Sequence, residues 1–117
     1  MKTILIVEDV ELNVDLLTQL LEDDYNLLVA SDGAQGVTMA LENNPDLILM
    51  DISLPMMDGY EATRRIRQTL TSLPIVGLSA HAMQSDIERA KAAGCNDYLT
   101  KPVDDNLLFK MLDKYLG

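Results

Sequence analysis

Four runs in this sequence end in side chains that can do chemistry. Ile4 to Val7 leads into Glu8-Asp9, Leu47 to Met50 into Asp51, Ile75 to Leu78 into Ser79-Ala80, and Asp97 to Thr100 into Lys101-Pro102. Three carboxylates brought to one point cannot all stay ionised without compensation. A hard divalent cation is the economical compensation, and Mg2+ prefers a few carboxylates plus retained waters to a full protein cage. With Lys101 added, the formal charges of such a site cancel. A metal, a carboxylate, a hydroxyl and an ammonium around one point are the parts needed to hold a phosphoryl group, the carboxylate being the nucleophile that forms an acyl phosphate. Each residue alone has a plainer reading: an acid bonded to a helix N-terminus, a capping Ser, a solvated Lys. Only the set points to chemistry.

Whether the set converges depends on the elements that carry it. Short runs rich in β-branched residues or Leu predict strands over Thr3 to Glu8, Asn26 to Ala30, Leu47 to Asp51, Ile75 to Ser79 and Asp97 to Thr100. Helical spacing lies between and after them, over Glu11 to Asp23, Gly33 to Asn43, Tyr60 to Leu70, Ser85 to Ala93 and Asp104 to Tyr115. Asp32 and Asp58 stand at N-cap positions, Pro45 and Pro74 separate helix from strand, and Gly94 closes the fourth helix. Gly36 and Gly77 run against their assignments. Near-continuous apolar strands need covering on both faces, which predicts a doubly wound α/β fold: a five-stranded parallel sheet built from five βα units. In such a sheet function lies at the C-terminal strand ends, where the four stretches fall. If the first and third strands are neighbours, about 5 Å apart, their carboxylates meet.

Composition narrows the function further. The chain has 117 residues, enough for one domain over 1–117, and 48% of them are apolar, which excludes disorder. Nine Lys and Arg face 19 Asp and Glu, a net charge of −10, so the basic stripe that nucleic acid requires is missing. The single Cys95 excludes an internal disulfide and fits a reducing compartment, with a small buried filler as its plain role. No apolar run approaches the roughly 20 residues of a membrane span, and Glu8-Asp9 ends the first run too early for a signal peptide. A cytoplasmic protein without an attached output domain is expected.

The set Glu8-Asp9, the stretch Met50-Asp51-Ile52-Ser53-Leu54-Pro55-Met56-Met57-Asp58-Gly59, Ser79-Ala80 and Lys101-Pro102 resembles the receiver domain of bacterial two-component response regulators. Val7-Glu8-Asp9 followed by Asn13, Ser79-Ala80-His81-Ala82-Met83 and Ala93-Gly94-Cys95-Asn96-Asp97-Tyr98 are most similar to stand-alone regulators and to receivers of hybrid histidine kinases. The resemblance implies flavodoxin-like strand order 2-1-3-4-5. It implies that Asp51 accepts a phosphoryl group from the phosphohistidine of a histidine kinase or histidine phosphotransferase. Glu8, Asp9, Asp51 and the backbone carbonyl of Ser53 would hold Mg2+. Glu8 stands where Asp is commoner, and its extra methylene suggests contact through a water. Lys101 and Ser79 would bond phosphoryl oxygens, Ser79 and Tyr98 would form the switch, and the Lys101-Pro102 bond would be cis. Ser53 and His81 would flank the path of the hydrolytic water.

On the first helix, Leu16, Leu17, Leu20 and Leu21 form the expected sheet-facing stripe, with Leu12 and Val14 at its margins. Those two either widen the core face or meet a partner's helix. Met83 and the fourth helix either pack into the core or offer a second contact face. Two other functions fit parts of the pattern. A phosphorylation-independent pseudo-receiver would not need the full set. A Mg2+-dependent phosphohydrolase of the haloacid dehalogenase type would carry a second Asp where this chain has Ser53.

Overall fold

In the computed structural model, which describes residues 1–54, 57–80 and 83–117, the chain alternates strand and helix five times. The strands are β1 (Thr3–Val7), β2 (Asn26–Ala30), β3 (Leu47–Asp51), β4 (Ile75–Ser79) and β5 (Asp97–Thr100). The helices are α1 (Glu11–Leu21), α2 (Gly33–Asn43), α3 (Gly59–Arg67), α4 (Gln84–Ala93) and α5 (Asp105–Leu116). All strand pairs are parallel, in the order β2-β1-β3-β4-β5. The expected architecture and strand order therefore hold.

Alternation along the strands sorts their side chains between two cores. Leu5, Val7, Ile48, Met50 and Ile75 face one cluster with Ala40, Ile66 and Ala90 of α2, α3 and α4. Ile4, Ile6, Leu47, Leu49, Val76, Leu78 and Leu99 face the other, with Leu17 and Leu21 of α1 and Leu108 and Leu112 of α5. Both faces of the central strands are dry, which is why their sequences read as continuous apolar runs.

The punctuation works as its chemistry requires. Asp32 accepts from the Gln35 N–H at 2.8 Å and Asp58 from the Glu61 N–H at 2.9 Å, each capping its helix. Gly94 ends α4 at φ 116°, where a side chain would be strained and would also press on Arg67. That arginine joins three elements: it donates to the carbonyls of Gly94 and Leu70, both at 2.9 Å, and to Asn96 Oδ1 at 2.6 Å. Asn96 Oδ1 also accepts from the Ile75 N–H that begins β4, at 2.9 Å. The first helix ends two residues earlier than expected and the third three residues earlier, at turns that carry no Gly or Pro for a sequence reading to detect.

The two glycines that run against their elements have packing reasons. A Cβ on Gly36 would meet both methyls of Val7 at 3.0 Å, so α2 lies close on β1. A Cβ on Gly77 would make only ordinary contacts, with Ile52, Tyr98 and Cys95 at 3.4–3.5 Å. One α1 expectation is corrected. Leu16 is 52% exposed, and the buried stripe centres on Leu17 and Leu21, with Leu20 packed at its edge. Val14 sits on the partly covered side of the helix, so of the two margin residues only Leu12, at 66%, is open to solvent.

Gly59 supplies a test of how tightly the turn after β3 is built. A Cβ there would collide with the Asp51 carbonyl and with Ile52 Cα at 2.7 Å, both backbone. Gly59→Ala is expected to lower stability by about 1–3 kcal/mol in urea unfolding, whereas Gly77→Ala is expected to be near neutral.

Candidate functional site

The register of the sheet puts the four motif ends side by side. Val7 lies opposite Met50, Asp51 opposite Leu78, and Ser79 opposite Thr100. The ladder runs one residue past the strands, with Glu8 N–H to the Ala30 carbonyl at 3.0 Å, Ile52 N–H to Leu78 at 2.9 Å and Lys101 N–H to Ser79 at 2.7 Å. Glu8, Asp51, Ser79 and Lys101 therefore emerge along one edge.

Lys101 is the hinge of the cluster. Its ammonium lies 2.7 Å from Glu8 Oε1 and 3.2 Å from Asp51 Oδ1. The peptide bond that follows it, to Pro102, is cis, the isomer the resemblance implied. Glu8 is 99% buried, and a buried carboxylate must be hydrogen-bonded to remain charged. Its Oε2 accepts from the Asp9 and Val10 N–H groups at 3.0 and 3.3 Å, and its Oε1 also accepts from Asn13 Nδ2 at 3.1 Å. Val10 is the N-cap of α1 and has no capping side chain of its own, so the Glu8 carboxylate sits where the positive end of that helix favours an anion.

Asp51 is as buried and less well provided. Its Oδ1 accepts from the Ser53 N–H at 3.0 Å. Burial pushes its carboxyl up to about 6, with neighbouring Glu8 adding to the rise and the Ser53 N–H and Lys101 opposing it. Burial would raise Glu8 too, but its bonds to Asp51, Lys101 and the Val10 N–H outweigh that and hold it below the usual carboxylate range. Burial would lower Lys101, yet its bond to Glu8 and the charges of both acids raise it. Of the two acids, Asp51 is thus the one whose charged form is disfavoured, and a cation beyond the single ammonium would relieve it.

Asp9 completes the acidic group. Glu8, Asp9 and Asp51 each offer a carboxylate oxygen, all within 4.8 Å of one another, and Asp9 is exposed, facing solvent. Hard oxygen donors at this spacing fit a small divalent cation with water completing its shell. Ser79 is buried beside them and Tyr98 is partly buried on β5, its ring next to Gly77. Ser53 lies exposed two residues past Asp51. His81 lies outside the described residues, as do Pro55, Met56 and Ala82 of the quoted motifs.

A cavity of about 280 Å³ opens from the site along α1. Glu8, Asn13 and Lys101 line its inner end, and Leu16, Leu20, Pro102 and Val103 its apolar walls. Leu16, expected in the core, instead belongs to this cleft. Asn13 bonds Glu8 from its place as the third residue of α1, where a side chain reaches back over the helix start; that position in the sequence is the signal for the bond.

The profile of the response regulator receiver domain matches residues 4–113. This chain belongs to that family. It is 37% identical over 119 residues to the polar-differentiation response regulator DivK of Brucella ovis, covering 99% of this chain and 97% of the relative. Among solved structures, the receiver domain of a Pseudomonas aeruginosa sensor histidine kinase, with magnesium coordinated in its active-site cleft, superposes with TM-score 0.92 and 39% identity over 99% of this chain and 98% of its own. A further match, with TM-score 0.91 and 33% identity over 97% and 88% of the two chains, comes from the Saccharomyces cerevisiae complex of the histidine phosphotransfer signalling protein Ypd1 with the receiver domain of its downstream response regulator Ssk1. This receiver is thus a response-regulator signalling module, and among its described residues no helix is long and apolar enough to cross a membrane.

The raised carboxyl of Asp51 gives a pH signature. Its folded value, about 6, exceeds the ordinary 3.8, so the folded state holds the proton more tightly and loses that stability as pH rises from about 4 to about 6. With metal chelated, Asp51→Asn is expected to be more stable than the wild type by about 1–3 kcal/mol above pH 7. The gain should shrink as pH falls through about 6 and vanish near 4, read by urea unfolding at each pH.

Proposed function

We propose that this receiver takes a phosphoryl group from a phosphohistidine onto Asp51, with Mg2+ held by Glu8, Asp9, Asp51 and the backbone carbonyl of Ser53. The single observation that supports this best is the meeting of three carboxylates with Lys101 at the strand edge. In the transfer the N–P bond of the donor breaks as an Asp51 carboxylate oxygen bonds to phosphorus. The electron pair returns to the imidazole nitrogen, which then takes up a proton. A Mg2+ ion held there would supply positive charge to the transferring oxygens and favour the ionised form of Asp51. Lys101, already 3.2 Å from Asp51, turns from its two acids toward a phosphoryl oxygen. Ser79 is drawn to another, and Tyr98 moves into the space this opens, coupling phosphorylation to the β5 surface. Water attack on phosphorus, past Ser53, breaks its bond to Asp51, releases inorganic phosphate and returns the carboxylate.

The donor docks on α1 beside the cleft. Leu12 and Leu16 are open to solvent and continue into the apolar walls formed by Leu20, Pro102 and Val103, a surface suited to a helix of a histidine kinase or histidine phosphotransferase. Val14 contributes at the margin. A net charge of −10 opposes binding to nucleic acid, so the output is a protein contact or onward phosphotransfer.

Two experiments test this reading. Acetyl phosphate with Mg2+ is expected to add one phosphoryl group by intact mass, lost with chelator or in Asp51→Asn; full labelling of that variant would place the acceptor elsewhere. Leu12→Glu is expected to slow transfer from a phosphorylated phosphotransferase at least about ten-fold while leaving labelling by acetyl phosphate unchanged. An equal loss with both donors would mean that Leu12 serves the fold and not docking.

A further inference from the structure

We infer that Asn13 is a positioning residue of the cation site, fixing the Glu8 carboxylate so that Glu8 contributes its charge to the site from an anchored position, beside the less encumbered Asp9 and Asp51. This rests on the reading of the three acids as the Mg2+ site and adds a residue to it.

An ionised carboxylate offers about four lone-pair positions to donors. Among the described residues four N–H donors reach Glu8: Lys101 Nζ and Asn13 Nδ2 on Oε1, the Asp9 and Val10 N–H groups on Oε2. With its bond to Asp51 besides, Glu8 is fully engaged. Asp9 differs: its carboxylate accepts no side-chain or backbone hydrogen bond from any described residue, and it faces solvent. The three acids thus divide by what already holds them.

Of the four donors, two are backbone groups that the β1–α1 turn supplies whatever its sequence. Lys101 is shared with Asp51 and must leave to meet a phosphoryl oxygen. Among the described residues, Asn13 is the one side-chain N–H donor dedicated to Glu8. A glutamate has one more rotatable bond than an aspartate, and the amide of Asn13, reaching back from the first turn of α1, removes that freedom. When Lys101 turns away, Asn13 and the two N–H groups still hold the charge in place. Asn13 is neutral, so it orients Glu8 without cancelling the negative charge a cation needs. Groups that orient a site's carboxylates typically change metal affinity 10–100-fold when removed.

The test is a double-mutant cycle read by Mg2+ calorimetry on the wild type, Asn13→Ala, Glu8→Gln and the double variant, with Asn13→Gln as the conservative substitution. Asn13→Ala is expected to weaken Mg2+ binding about ten-fold. Asn13→Gln should recover part of that loss. In the Glu8→Gln background, Asn13→Ala should cost less than about two-fold, because its route to the metal runs through Glu8. In metal-free protein the Asn13 side-chain amide resonance should shift on Glu8→Gln, and thermal melting in chelator shows whether each variant is folded. Unchanged affinity in folded Asn13→Ala, or the full ten-fold loss in the Glu8→Gln background, overturns the proposal. Absence of Mg2+ binding by the wild type would overturn the cation reading itself. In that case an amide resonance indifferent to Glu8→Gln would overturn the tether as well.

Discussion

Two buried carboxylates, Glu8 and Asp51, share one ammonium at the C-terminal edge of the sheet. Like charges this close in a dry site cannot both be content with a single partner, and the imbalance falls on Asp51, which burial and Glu8 together push up to about 6. The less satisfied acid, Asp51, is the one proposed as the nucleophile. Asp9 brings a third carboxylate within 4.8 Å of both, and a divalent cation held by the three would relieve the conflict.

The scaffold makes this arrangement tolerable. Parallel strands bring all their C-terminal ends to one edge, and helix starts follow them, so backbone N–H groups point where anions collect. Glu8 uses that directly, through the N–H groups of Asp9 and Val10. Beneath the edge the cores are closely packed, down to Gly36 seated against Val7. The acids are therefore held by elements with little room to relax. At the far end of the sheet the Arg67 guanidinium ties α3 to the starts of β4 and β5, keeping the strands that carry Ser79 and Lys101 in fixed register.

The first helix joins the site to the outside. Its inner face packs Leu17 and Leu21 on the sheet, its first turn gives Asn13 to Glu8, and its outer face leaves Leu12 and Leu16 uncovered. One helix of 11 residues thus contributes to core, site and surface, so a partner seated on α1 would lie within a turn of the acidic cluster.

Much of this was written in the sequence. The strand and helix order followed from apolar runs and helical spacing, because both faces of a parallel strand are buried and periodicity records burial directly. The acids and the lysine at the strand ends were legible as a set, because strands of one parallel sheet end on one side. Asp32, Asp58 and Gly94 could be placed because capping is local chemistry. Helix ends at Leu21 and Arg67 were not legible, since no breaker marks them. Leu16 lies outside the core because a helix's periodicity fixes which residues share a face but not how that face is rotated against the sheet, which only the packed structure decides. The protonation order of Glu8 and Asp51 and the tether from Asn13 also required the tertiary structure. Both depend on distances of about 3 Å between residues far apart or on different elements, and on a burial that no residue type carries by itself.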